Sequence, residues 1–366
     1  MDQADVLVIG AGQAGLSAAY HLRRTGTDSI VLDAEQGPGG AWRHRWRTLT
    51  MATVNGITEL PDSQVPELAA QTPARLALPA YFADYEDEFG LQVHRPVTIH
   101  SVVDDGHWLR AIAADGAEYR MRALINATGT WGRPFWPHYP GRERFRGRQW
   151  HTRDYPGPEA FAGKRVVVIG GGISAVQLLQ EIAPVVADHL WVTRREPVWV
   201  DREFTSELGR AAVAMVEERV RRGLPPRSVV SVTGLPLTPA IRAARESGVL
   251  HRLPMFSSID ETGVLWAADP GSADTRYDAD ILLWCTGFRA ALEHLSPLHL
   301  RGHGGGIAMD GTRTVVDPRV HLVGYGPSAS TIGANRAGRV AVREIRGMLG
   351  LADGPGRPRG RHSVVE

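Results

Sequence analysis

The apolar positions of the chain fall into short runs separated by glycine. Val6-Leu7-Val8-Ile9 is an unbroken apolar stretch of the kind found in a parallel strand buried on both faces. Gly10-Ala11-Gly12-Gln13-Ala14-Gly15 follows, then helical spacing from Leu16 to Arg24, then Ser29-Ile30-Val31-Leu32 as a second strand. The same grammar returns at Val166-Val167-Val168-Ile169, with Gly170-Gly171-Gly172-Ile173-Ser174-Ala175, a helix through about Ile182, and the strand Leu190-Trp191-Val192. Leu124-Ile125-Asn126 and Ile281-Leu282-Leu283-Trp284 are near-repeats, each leading into a Thr-Gly turn. His321-Leu322-Val323-Gly324 reads as a late strand and Ala334–Met348 as a helix after it.

These elements predict an α/β fold with two Rossmann-like dinucleotide-binding units, the second inserted in the first. The first unit is expected at 1–155 and 285–350, the second at 160–284, with a helical insertion at 203–253. The Pro/Gly-rich stretch from Pro134 to Gly163 fits a linker crossing, and 354–366 a flexible tail. In the insertion, Arg210 to Arg222 has amphipathic spacing, with Glu217 and Glu218 ahead of Arg221 and Arg222. Such a face is usually solvated; a substrate entrance and a homodimer contact are the alternatives.

The glycines carry chemistry. In such a turn the first permits a tight bend, the second lets backbone approach a pyrophosphate, and the third lets helix and strand pack closely. The helix N-terminus adds free N–H groups and a positive dipole end. Asp33, closing the second strand, stands where an acid takes ribose hydroxyls. The corresponding strand of the second unit ends in Thr193-Arg194-Arg195, and a guanidinium there accepts a 2′-phosphate that an acid would repel. The second site is therefore expected to prefer NADPH over NADH. Gly37-Pro38-Gly39-Gly40-Ala41-Trp42 suits backbone passing close along a flat ring system.

Composition narrows the classes. The chain has 366 residues, 43% of them apolar, and a net charge of +1, which gives no general pull towards nucleic acid or anionic membrane. Cys285 is the single cysteine, so dithiol chemistry is excluded and a reducing cytoplasm is the expected setting. No apolar stretch reaches the roughly 20 residues of a membrane span. No paired carboxylates, Ser–His–Asp set or metal-ligand cluster stands out. His294, His299 and His303 read as solvated loop histidines.

Between the two glycine turns lies Phe145-Arg146-Gly147-Arg148-Gln149-Trp150-His151-Thr152-Arg153-Asp154-Tyr155. With the turns, Gly39-Gly40-Ala41-Trp42 and Ala127-Thr128-Gly129, this stretch resembles the flavin-containing monooxygenases and Baeyer–Villiger enzymes, the class B flavoprotein monooxygenases. The resemblance implies FAD in the first unit and NADPH in the second. It implies hydride transfer to the flavin, a C4a-hydroperoxyflavin formed with O₂, and oxygenation of a soft sulfur or nitrogen nucleophile on a small molecule. Tyr155 leans towards heteroatom oxygenases and Thr152 towards Baeyer–Villiger ketone oxygenation, which stays an alternative. An NAD(P)H-dependent flavoprotein reductase is a third reading.

The residues expected to hold cofactor in the first unit are Gly10, Gly12, Gln13, Ala14, Gly15, Asp33, Ala34, Gly40, Ala41, Trp42, Trp46, Thr128, Gly129, Gly324 and Ile332. In the second they are Gly170, Gly172, Ile173, Ser174, Ala175, Arg194, Arg195, Thr286 and Gly287. His151 and Asn55 are the catalytic candidates, His151 as a structural and gating residue rather than an acid–base group. Ungapped spacing from Trp42 puts Ala52 where animal-type members carry an Asn beside the flavin, and Asn55 follows three positions later. An Ala52 facing the ring implies substantial uncoupled NADPH oxidation. Tyr325 replaces an acid that many such flavoproteins place after the late-strand glycine.

Overall fold

The computed structural model describes residues 1–54, 57–201, 206–226, 234–268 and 274–351, without the side chains of 206–213 and 331–332. The expected flexible tail, and Asn55, lie outside the described residues.

Two sheets organise the chain. In the first, the strands Val320–Leu322, Glu118–Asn126, Asp2–Ile9, Ser29–Leu32 and Val93–His94 run parallel in that order. An antiparallel hairpin, Ile99–Asp105 with Trp108–Ala113, extends from Glu118–Asn126. In the second sheet all strands are parallel, in the order Arg252–Pro254, Asp188–Thr193, Arg165–Ile169, Ile281–Trp284, Arg148–His151. Both Rossmann-like cores are thus present.

Alternation along the apolar runs explains why both faces of each sheet are covered. Val6 and Val8 point into a core with the helices Gln13–Arg24, Ala74–Glu88 and Thr331–Leu349, whereas Leu7 and Ile9 face the hairpin and the 3₁₀ turn Glu293–Leu298. In the second sheet Val166 and Val168 pack on the helix Ile173–Ile182, while Val167 and Ile169 face Phe145, Phe256 and Trp284. A continuous apolar run is what two covered faces require.

Two expectations change, and one helix is new. Arg148–His151 pairs with Ile281–Trp284, so this stretch, placed with the first unit by sequence, belongs to the second sheet. The helix Ser206–Arg221 carries the expected Glu217–Arg221 and Glu218–Arg221 pairs. Its Val216 and Val220, however, are buried in the core of the first sheet, so the insertion straps one unit to the other. The helix Ala74–Glu88 had no signal in the reading above: apolar residues lie all round it, and Pro79 interrupts it.

Candidate functional site

The first glycine turn opens on a cavity of about 610 Å³, within the size range of cofactor sites. Gly10 has φ +98°, and a Cβ there would stand 2.6 Å from the Ala127 carbonyl oxygen. A Cβ on Gly15 would lie 1.8 Å from the Gly10 carbonyl oxygen, so close packing of helix on strand demands glycine at both positions. Gly12 differs: a Cβ there would meet no protein atom within 4 Å, because it faces the cavity. That space, at the open N-terminus of the helix Gln13–Arg24, is what a pyrophosphate requires. Gly40, φ +49°, lies against Gly12 from the other side, at 3.0 Å from its own built Cβ to the Gly12 Cα.

Gly10, Gly12, Gln13, Ala14, Asp33, Ala34, Gly40, Ala41, Trp42, Thr128, Gly129 and Gly324 all line this cavity. Asp33 is buried, and burial raises its carboxyl above the ordinary range against the pull of Arg95. The Arg95 Nε is 3.3 Å from Asp33, and its two terminal nitrogens grip Glu86 at 2.7 Å each. Sequence reasoning missed this pair because Arg95 lies 62 positions from Asp33. At the other end, the helix Thr331–Leu349 is capped by Ser330 accepting from the Gly333 N–H at 3.1 Å, and Ser328, Ser330 and Ala334 face the cavity. The N-terminus of this helix thus stands at the cavity wall. Gln13 ties this helix in by donating to Asn335 Oδ1 at 2.9 Å.

Several assignments are corrected. Trp46 does not reach the cavity; it is buried beside Tyr155 in the core of the second unit. Thr286 and Gly287, expected at the second site, meet other parts of the protein. The Thr286 hydroxyl donates to the Phe135 carbonyl, and Gly287 is held by His151. Ala52 is exposed and absent from the wall, which removes the ground for the uncoupling expectation. The Ile332 side chain is outside the described residues. His294, expected to be solvated, lines the cavity, and burial lowers it to about 4. Its Nε2–H donates to Asn126 Oδ1 at 2.6 Å; the Asn126 amide donates to Thr128, and Thr128 donates to the Ala291 carbonyl.

His151 is wholly buried and touches no cavity wall. The Arg153 N–H donates to Nδ1 at 3.1 Å, so Nε2 carries the proton and donates to the Gly287 carbonyl at 3.0 Å. Burial lowers its pKa and keeps the ring neutral. Both nitrogens are committed, which leaves none for acid–base work. Phe145 and Tyr155 are equally structural and fill the two faces of the second sheet, whereas Arg153 reaches the cavity wall. The motif locks the Gly287 turn, where two chain crossings meet. There Trp131 stacks on Phe288 at 4.9 Å, and Ala291 N–H donates to Gly129.

The second turn keeps the first two glycines of the pattern and replaces the third. Gly170 has φ +138°, and a Cβ there would be 2.2 Å from the Cys285 carbonyl oxygen; a Cβ on Gly172 would meet nothing within 4 Å. Ala175, where the first turn has glycine, is fully buried, while Ile173 and Ser174 stand half-buried at the helix start. Arg194 and Arg195 are exposed past the strand end. Arg252, from the neighbouring strand, bonds Thr193 at 2.9 and 3.1 Å and adds a cation that the sequence did not flag. Among the described residues no cluster of His, Cys, Asp and Glu could hold a metal ion, and no helix is long and apolar enough to cross a membrane.

The comparisons agree with this geometry. The family model of pyridine nucleotide-disulphide oxidoreductases matches residues 7–223. A flavin-containing monooxygenase from Stenotrophomonas maltophilia superimposes with TM-score 0.81 and 38% identity, over 95% of this chain and 100% of that one. A Baeyer-Villiger monooxygenase of Streptomyces coelicolor is 32% identical over 231 residues, 60% of this chain and 44% of the relative. An indole-3-pyruvate monooxygenase of Oryza sativa is 33% identical over 177 residues, 47% of this chain and 43% of the relative. The chain spans less than half the length of these two curated relatives.

Proposed function

The chain belongs to the flavin-containing monooxygenases within the pyridine nucleotide-disulphide oxidoreductase family, and from that premise we propose that it oxygenates a soft sulfur or nitrogen nucleophile of a small molecule with NADPH and O₂. The observation that carries the reading is the pair of open glycines. Gly12 and Gly172 each leave empty the one place where a side chain would block a phosphate, in turns whose first glycine is sterically forced. The cradle tests positively for FAD: the Gly10–Gly15 turn and the helix start behind it receive the pyrophosphate, and Asp33 accepts ribose hydroxyls. The second cradle takes NADPH, with Arg194 and Arg195 at its 2′-phosphate.

When bound, FAD accepts hydride from the nicotinamide and activates dioxygen to deliver one oxygen atom to the nucleophile. The protein's share is binding, orientation and the exclusion of water. Trp42 and Ala41 lie along the cavity wall, and the Ser330-capped helix presents its positive end. His151 fixes the Gly287 turn and so the approach of one cradle to the other. We assign residues 1–126 with about 285–350 to the FAD unit, and 148–284 to the NADPH unit, following sheet membership.

The experiment is steady-state turnover with NADPH, a thioether, a tertiary amine and a cyclic ketone, following O₂ uptake and product together. Sulfoxide or N-oxide formed one-for-one with O₂ is the expected result. A lactone as the main product transfers the chain to the ketone reading, and electron transfer without oxygenated product makes it a reductase.

A further inference from the structure

The cavity contains a cation with no counter-ion. The 3₁₀ turn Gly40–His44 begins against Gly12 and delivers Arg45 to the far part of the wall. Its guanidinium lies 4.6 Å from the centre of the Trp131 ring and 5.3 Å from that of Trp42. Stacking on indole faces holds a guanidinium flat but does not replace an anion. Among the described residues Arg45 has no ion pair, and its Nε is sealed from solvent without a hydrogen-bond partner. The indole N–H of Trp131 is likewise buried and unpaired. Burial with no neighbouring charge lowers Arg45 to about 10.

The acids of the cavity are already engaged: Asp33 with Arg95, and Glu35 with Arg43 and His44. The pyrophosphate of FAD, in the same cavity, is a competing anion, and an Arg45 substitution that lowers FAD content would reveal it. A half-buried guanidinium with no acid beside it favours an anion that enters the cavity. Arg153, from the second unit, approaches the same wall and adds positive charge.

Resting on the monooxygenase reading above, we propose that the terminal nitrogens of Arg45 form an oxyanion-binding subsite that takes the carboxylate of a small acidic substrate. The two terminal nitrogens of the guanidinium match the two carboxylate oxygens, and the Trp131 ring holds the group flat. The substrate class follows: an organic acid carrying its nucleophilic centre a short distance from the carboxylate. A phosphate of NADP⁺ shares this chemistry and is the competing source.

Calorimetry on the purified holoenzyme separates the two, using benzoate, its neutral isostere benzamide, and NADP⁺ as probes, with FAD content read in parallel from the flavin band. Benzoate is expected to bind saturably and at least tenfold more tightly than benzamide. Arg45→Gln should weaken benzoate by roughly 30-fold, the loss of a charge-assisted pair, leaving benzamide, NADP⁺ and FAD content within twofold. Arg45→Lys should recover part of the loss, because the charge returns without the fork. Equal binding of benzoate and benzamide, no saturable benzoate binding, or an Arg45→Gln effect on NADP⁺ or FAD instead of benzoate overturns the proposal. An FAD-free protein that still binds benzoate through Arg45 would sink the flavin reading while leaving the subsite standing.

Discussion

The two glycine turns are built alike and housed differently. Around the first, segments from far along the chain close in: 97–99, 127–132, 291–294 and 324–334 all contribute to one wall, and Asp33 is buried in it. At the second, the residues that would meet the nucleotide's 2′-phosphate, Arg194 and Arg195, stand in solvent. The difference separates a resident cofactor from an exchanging one. A group that stays must be enclosed by several segments; one that arrives and leaves on each turnover must meet its charge partners at the surface.

The sharpest break of that comparison is a matched pair of substitutions. Gly12→Val and Gly172→Val each place a side chain in space that no protein atom occupies, so both variants should fold. Gly12→Val should lose bound FAD almost completely, read from the flavin absorbance of purified protein. Gly172→Val should keep FAD and raise the KM for NADPH by roughly 100-fold or more, since the pyrophosphate contact is gone. Gly172→Val protein that also comes off the column colourless would show that the cradles are not independent.

Removing both exposed arginines comes next. Arg194→Ala with Arg195→Ala should cut the preference for NADPH over NADH by about 30- to 150-fold in kcat/KM, the value of one or two charge-assisted bonds. Flavin content and thermal stability should not move. A change in FAD affinity instead would erase the distinction between resident and exchanging sites.

His151→Ala sharpens the comparison at the junction. It leaves the Gly287 carbonyl and the Arg153 N–H without partners, and should cost about 2–3 kcal/mol in denaturant unfolding. Its effect on the pH profile of turnover should be absent, because the ring exchanges no proton with a reacting group. A lost limb of that profile would restore His151 as an acid or base.

The smallest expected effect is acid sensitivity. His21, His294 and His321 are each held neutral by burial, with pKa values lowered to about 4. The unfolded chain binds these protons first, so their contribution is fully present above about pH 6.5 and is lost as pH falls towards 4. Only His294 touches the cavity. His294→Gln should therefore remove one share of the acid loss and reduce the pH dependence of FAD retention, whereas His21→Gln should affect stability alone. Equal behaviour of the two variants would deny His294 a place at the flavin site.

Legibility in the sequence followed the range of the interaction. Each strand–glycine turn–helix unit is encoded within about 30 residues, so the α/β class, both cradles and the acid at Asp33 could be read directly. The Phe145–Tyr155 stretch was legible as a pattern, but its work was not. Whether His151 meets a reacting atom or a carbonyl depends on Gly287, 136 positions away. Trp46 went wrong for a related reason. It follows Trp42 closely, yet the turn points one indole at the cavity wall and buries the other against Tyr155.

The sequence by itself determined which cofactor shapes the chain receives, because phosphate recognition is a property of local backbone: a sharp turn, a missing side chain and a helix start. Tertiary structure alone decided what surrounds those cofactors. Arg45 became an unpaired cation, Arg95 the partner of Asp33, and His294 a neutral wall residue only when segments remote in the chain met. Charge state and solvent access are set by neighbours in space, and a linear string of residues does not contain them.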